Sequence, residues 1–179
     1  MPVASVVALA FALLVSPLSH APIADSAPSA KCAAPEFHQF DFALGDWDTY
    51  DMDAPTKLIA RNRVTRMVDG CALREVYEQN DGLHGESISA YDASRGRWHQ
   101  SWVTNRGSLL LFDARFDGNS MIFTAPEKQR DGSTATMRVR WWREGLTLRE
   151  RAERSRDDGA TWTPLFDIVF RPHDARNGA

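Results

Sequence analysis

The chain has 179 residues, 43% of them hydrophobic and 25% charged, a globular composition that excludes a disordered or fibrous chain. A formal net charge of −3 excludes a nucleic-acid binder that works through bulk positive charge. The length suits one domain of ordinary size.

The first element in chain order is an apolar run, Val6 to Val15. It is too short to span a bilayer and has the length of a signal-peptide core. Ser16-Pro17 breaks it, and Ser19-His20-Ala21 offers small residues for cleavage after Ala21. Residues 1–21 therefore read as an export signal, although the first basic residue comes only at Lys31. Residues 22–36, with Pro22, Pro28 and Pro35, read as a linker. Residues 37–174 read as the folded unit and 175–179 as a disordered tail, with no transmembrane segment in the exported chain. Export favours a disulfide between the two cysteines, Cys32 and Cys71. Closing a loop of about 39 residues contributes on the order of 4 kcal/mol in the chain-entropy account.

A short helix is predicted over Phe37–Leu44, where Phe37, Phe40 and Leu44 have helical spacing. From there the pattern is strand. The predicted runs are Trp47–Met52, Lys57–Val68, Cys71–Gln79, Leu83–Tyr91, Arg97–Thr104, Ser108–Phe116, Ser120–Ala125, Thr134–Trp142, Leu146–Arg154 and Leu165–Arg171. Gly70, Gly82, Gly96, Gly107, Gly118, Gly132, Gly145 and Gly159 punctuate them at spacings of 11 to 14. Asp-Gly and Asn-x-Gly between alternating runs are hairpin signals. Ten hairpin-linked strands make a meander, and closure removes its two long edges. The predicted fold is thus all-β: a ten-stranded up-and-down antiparallel barrel with a short N-terminal helix and room for one small ligand.

Gly45-Asp46-Trp47 follows the helix and opens the first strand. In this the chain resembles the lipocalin and fatty-acid-binding (calycin) barrels. The resemblance implies that Trp47 plugs the barrel floor against an arginine of the last strand, here Arg171. A closer resemblance rests on three segments: residues 38–47 (His38 to Trp47), 70–75 (Gly70-Cys71-Ala72-Leu73-Arg74-Glu75) and 98–103 (Trp98 to Val103). These are similar to a family of bacterial exported lipocalin-like proteins without an established reaction, which implies fold and compartment rather than activity. The glycine-rich extension of haem-binding relatives is replaced here by Asp48-Thr49-Tyr50-Asp51, so a haem on His173 is not expected. His38, His84, His99 and His173 form no H-x-H or H-E-x-x-H, and neither metal nor cofactor is expected. There is no nucleophile elbow, phosphate loop or dinucleotide fingerprint. Ser155-Arg156-Asp157-Asp158-Gly159-Ala160-Thr161-Trp162 matches S-x-D-x-G-x-T-W, the Asp-box, and reads as the turn of the last hairpin.

Strand parity gives a candidate interior. Glu75, Tyr77, Ser87, Ser89, Tyr91, Trp98, Gln100 and Trp102 fall on one wall, aromatic with a few hydrogen-bonding groups, as in a small-molecule pocket. The alternative is a filled core in which these groups satisfy one another. Glu75 is the candidate acid or base, because burial raises a carboxyl. Its structural alternative is an ion pair with Arg138, Arg140 or Arg149, whose parity is ambiguous. Residues 36–53 hold six acids and no Lys or Arg, and residues 130–156 hold eight arginines, so closure could set these segments against each other. The expected partner is a small apolar or amphipathic molecule, with its polar group near Glu75 and Gln100. The competing readings are an acid–base isomerase or cyclase using Glu75, and a packed-core envelope protein with an apolar patch where Trp141 or Trp142 faces out.

Overall fold

The computed structural model describes residue 1 and residues 31–175. Residues 2–21 of the expected signal, residues 22–30 of the linker and residues 176–179 of the tail lie outside these. The strands are β1 (Gly45–Asp51), β2 (Leu58–Met67), β3 (Ala72–Gln79), β4 (His84–Asp92) and β5 (Arg97–Thr104). They continue as β6 (Leu109–Phe116), β7 (Ser120–Lys128), β8 (Thr134–Glu144), β9 (Thr147–Ser155) and β10 (Thr163–Pro172). Each pairs antiparallel with the next, and β1 pairs β10, so the meander closes into a ten-stranded barrel. This is the architecture that the calycin resemblance implies. The eight turn glycines all have positive φ, between 61° and 94°.

The predicted N-terminal helix is two 3-10 turns, Pro35–His38 and Asp41–Ala43. The apolar spacing is right, but the stretch is too short to nucleate a stable α-helix. Its side chains close one end of the barrel. The Phe40 ring meets those of Phe42, Trp98, Phe123 and Trp141 at 5.4–6.2 Å, mostly edge-on. Phe37 packs on Tyr91, and the Trp98 indole N–H donates to Gln39 Oε1 at 3.1 Å. A Cys32–Cys71 disulfide ties this capping segment to the start of β3.

Trp47 is buried at the capped end and donates its indole N–H to Ala43 O at 3.0 Å. Gly45 is required beside it: φ is 149°, and a Cβ there would lie 2.7 Å from the indole. The expected Trp47–Arg171 stack is not made. Arg171 is in register with Asp48, one residue on from Trp47 and so on the opposite face, and its guanidinium lies 4.3 Å over Tyr50. The guanidinium near Trp47 is that of Arg143, at 5.7 Å, which also donates to Phe42 O. Apart from Arg143, the acidic and arginine-rich segments do not face each other as expected. Asp46 is held by Arg61 and Asp41 by Arg66, both from β2. Arg149 and Arg151 share Asp167.

The ladder between β6 and β7 is short. It covers only Asp113–Phe116 against Met121–Thr124, leaving Leu109–Phe112 and residues 125–128 without partners across the seam. Pro126 sits in that stretch of β7 and has no N–H to donate, which suits an edge position. The sequence pattern ends this run at Ala125, just before that proline. The strand continues to Lys128 because its other side still pairs with β8.

Candidate functional site

Register places all eight wall residues on the inner face. Glu75 lies opposite Ser87, which lies opposite Trp102; Leu73 lies opposite Ser89, which lies opposite Gln100; Tyr91 lies opposite Trp98. They form three layers. Tyr91 and Trp98, 6.0 Å apart, belong to the aromatic plug.

The middle layer is a buried polar network. Asn62 Nδ2 donates to Glu75 Oε1 at 3.0 Å, and Ser87 Oγ donates to Glu75 Oε2 at 2.8 Å. Gln100 Nε2 donates to both Ser87 Oγ and Ser89 Oγ at 3.1 Å. The space enclosed by this network with Phe40, Val64, Leu73 and Trp141 is about 10 Å³, room for roughly one water. At this level the barrel is filled, and the groups satisfy one another except for Asn62 Oδ1, which has no partner.

Among the described residues Glu75 has no arginine partner, contrary to the expected ion pair. Arg138 is bonded to Glu153 and stacked 3.7 Å over Trp162, Arg140 is bonded to Ser120, and Arg149 to Asp167. Burial pushes the Glu75 carboxyl above the ordinary glutamate range, against the two hydrogen bonds it accepts.

The third layer is the mouth, at the end opposite the plug. Its inward side chains, Tyr77, Trp102, Leu110, Met137 and Leu165, are only half-buried although they face the interior. The rings of Tyr77 and Trp102 meet edge-on at 6.2 Å. Glu150 joins them from β9. It is in register with Trp141 and Ile168, both buried and inward. Burial followed by the charge of Glu75 raises that carboxyl well above the ordinary range, against the opposing effect of the Trp141 indole. Tyr77 is also raised, by burial first and then by Glu150 and Glu75. At the rim, Arg154 forks onto Glu127 with two bonds of 2.7 Å. An open cleft of about 460 Å³ lies outside this rim, lined by residues 127–131, Arg154 and Arg156.

Sequence reasoning missed Glu150. The signal was present: Leu148, Glu150 and Ala152 alternate on β9 as Leu73, Glu75 and Tyr77 do on β3, but neighbouring arginines obscured the parity.

Other motifs have structural roles. In the Asp-box, Ser155 Oγ donates to Asp157 Oδ1 and accepts from Gly159 N, both at 2.8 Å, while Asp157 takes the Thr161 N–H and hydroxyl. His173 Nδ1 bonds Asp48 Oδ1 at 2.6 Å. Trp141 points in, whereas Trp142 lies between the guanidinium groups of Arg140 and Arg149. The exposed apolar patch is elsewhere, at Ile88, Val103, Leu109 and Leu111 on β4 to β6, each at least half exposed. A scan against protein-family models finds no match, and a search of curated proteins finds no relative.

Proposed function

We propose that the chain is an exported, calycin-type barrel that binds a small, mostly apolar molecule. Its seat is the mouth, above the polar layer that contains Glu75 and Gln100. One observation carries this reading: Tyr77, Trp102, Leu110, Met137 and Leu165 face inward yet keep access to solvent, over a floor of hydrogen-bonding groups. Interior aromatics with a few convergent polar groups are what a small-molecule site requires. The seam between β6 and β7 opens on the same end and adds a lateral way in. Export is supported by the disulfide, which persists in oxidising compartments, and by the signal-like leader.

Native mass spectrometry of the protein purified from its own periplasm tests the reading. The expected result is a co-purified organic molecule that is released on unfolding. A mass equal to the bare chain, together with no shift of tryptophan fluorescence by any amphiphile, would overturn it.

A second reading, acid–base catalysis at Glu75, is favoured by the absence of an arginine on its carboxyl. Turnover of the co-purified molecule that is lost in Glu75→Gln, with its binding retained, would mark that reading.

A further inference from the structure

Among the described residues, the interior at the mouth presents two carboxyl groups, and no arginine or lysine is bonded to either. Glu75 and Glu150 face the interior and act on each other electrostatically. Trp141 connects them: its ring lines the space beside Glu75, and it stands in register with Glu150 on the neighbouring strand. Arg66, Arg143 and Arg154 fall on inner-face positions of their strands, and each is engaged elsewhere. Arg66 is held by Asp41 and Arg143 lies against Trp47, both at the capped end, while Arg154 is held by Glu127 at the rim.

A second, independent observation concerns unmet acceptors. Asn62 has no exposed surface, and its Oδ1 has no partner although its amide nitrogen bonds Glu75. Thr49 is equally buried on the inner face of β1, and its Oγ1 is also unpartnered. Buried polar atoms are nearly always paired, so orphaned oxygens in an interior that also holds two carboxyls call for a donor. An ammonium group supplies up to three N–H donors and a positive charge together. Tyr77 and Trp102 add aromatic faces that attract a cation.

We infer that the molecule bound in the mouth is an amphiphilic amine, its protonated nitrogen held by Glu150 with Glu75 and the Asn62 carbonyl beneath. The inference rests on the ligand-binding reading and names its chemical class. The apolar part of the molecule lies against Trp102, Leu110 and Met137. An anionic amphiphile such as a fatty acid is disfavoured, because the inner-face arginines Arg66, Arg143 and Arg154 are engaged elsewhere and leave it no cation.

The test is calorimetric binding of three probes of equal chain length, octylamine, octanol and octanoate, to the folded protein near neutral pH. Octylamine is expected to bind about tenfold or more tighter than octanol, and octanoate weakest. Glu150→Gln is expected to bring octylamine close to octanol while leaving octanol unchanged. Equal binding of octylamine and octanol, or tighter binding of octanoate, overturns the amine inference and leaves the ligand-binding reading standing. An amine preference unaltered in both Glu150→Gln and Glu75→Gln also overturns it, because the nitrogen is then held elsewhere. No binding of any of the three probes overturns the amine inference and leaves the ligand-binding reading to the mass measurement. If either variant fails to fold, the order of the three probes on the unmodified protein still decides.

Discussion

Glu75 and Glu150 resist ionisation in the folded chain, and this fixes the sign of their contribution to stability. Both carboxyls are raised from an ordinary value of 4.5. Between that value and the raised one, the folded state holds more protons than the unfolded state, so stability falls as pH rises. Asp157 works the other way. Its carboxyl is lowered to about 2 by Thr161 and Ser155, and its contribution is present above the unfolded value of 3.8 and lost as pH falls towards 2. Glu150→Gln is therefore expected to raise the urea midpoint at about pH 8 and to leave it unchanged at about pH 4. Urea titrations at the two pH values check this, and a loss of stability at the higher pH would contradict the burial argument. If the amine inference holds, the same variant gains stability and loses ligand preference, a trade typical of functional groups. At this scale the sequence was legible where alternation was clean. Leu73, Glu75 and Tyr77 read correctly, whereas Glu150 lies among Arg149, Arg151 and Arg154, whose charge masks the face on which it sits.

At the scale of elements, turns and strand parity read well because each depends on neighbours in sequence. The Asp-box turn rests on contacts within eight residues, and the inward set on β3, β4 and β5 follows from period-two alternation. Contacts that depend on distant strands read poorly. Arg171 was assigned to Trp47 by position in the chain, but the β1–β10 register puts it beside Asp48 on the outer face. Gly85 is another position whose role depends on a neighbouring strand. It lies in β4 without positive φ, and a Cβ built there would meet the Trp102 indole at 2.3 Å. The glycine thus makes room for the ring that forms one side of the mouth. Gly85→Ala is expected to displace Trp102, cost about 1–3 kcal/mol and break its edge contact with Tyr77. A shifted tryptophan emission together with a lowered unfolding midpoint checks this. An unchanged spectrum would mean that the ring is held by something other than the space above Gly85.

For the whole molecule, glycine spacing determined strand number and closure followed from the cost of exposed edges, but neither says how full a barrel is. That depends on side-chain volumes summed across all ten strands, and here the sum leaves about 10 Å³ in the middle layer. Closure is also uneven around the circumference, because β6 and β7 part company above Asp113 and Thr124. On one side Leu109–Phe112 still pairs with β5, so alternate amides there are bonded and the others point at the seam. Amide hydrogen exchange is expected to show this as a period of two, with slow and fast exchange alternating over Leu109–Phe112. Asp113 and Ala114 pair with β5 on one side and β7 on the other, so both are expected to exchange slowly. Uniformly slow exchange from Leu109 to Ala114 would mean that the seam is closed in solution and offers no lateral way into the mouth.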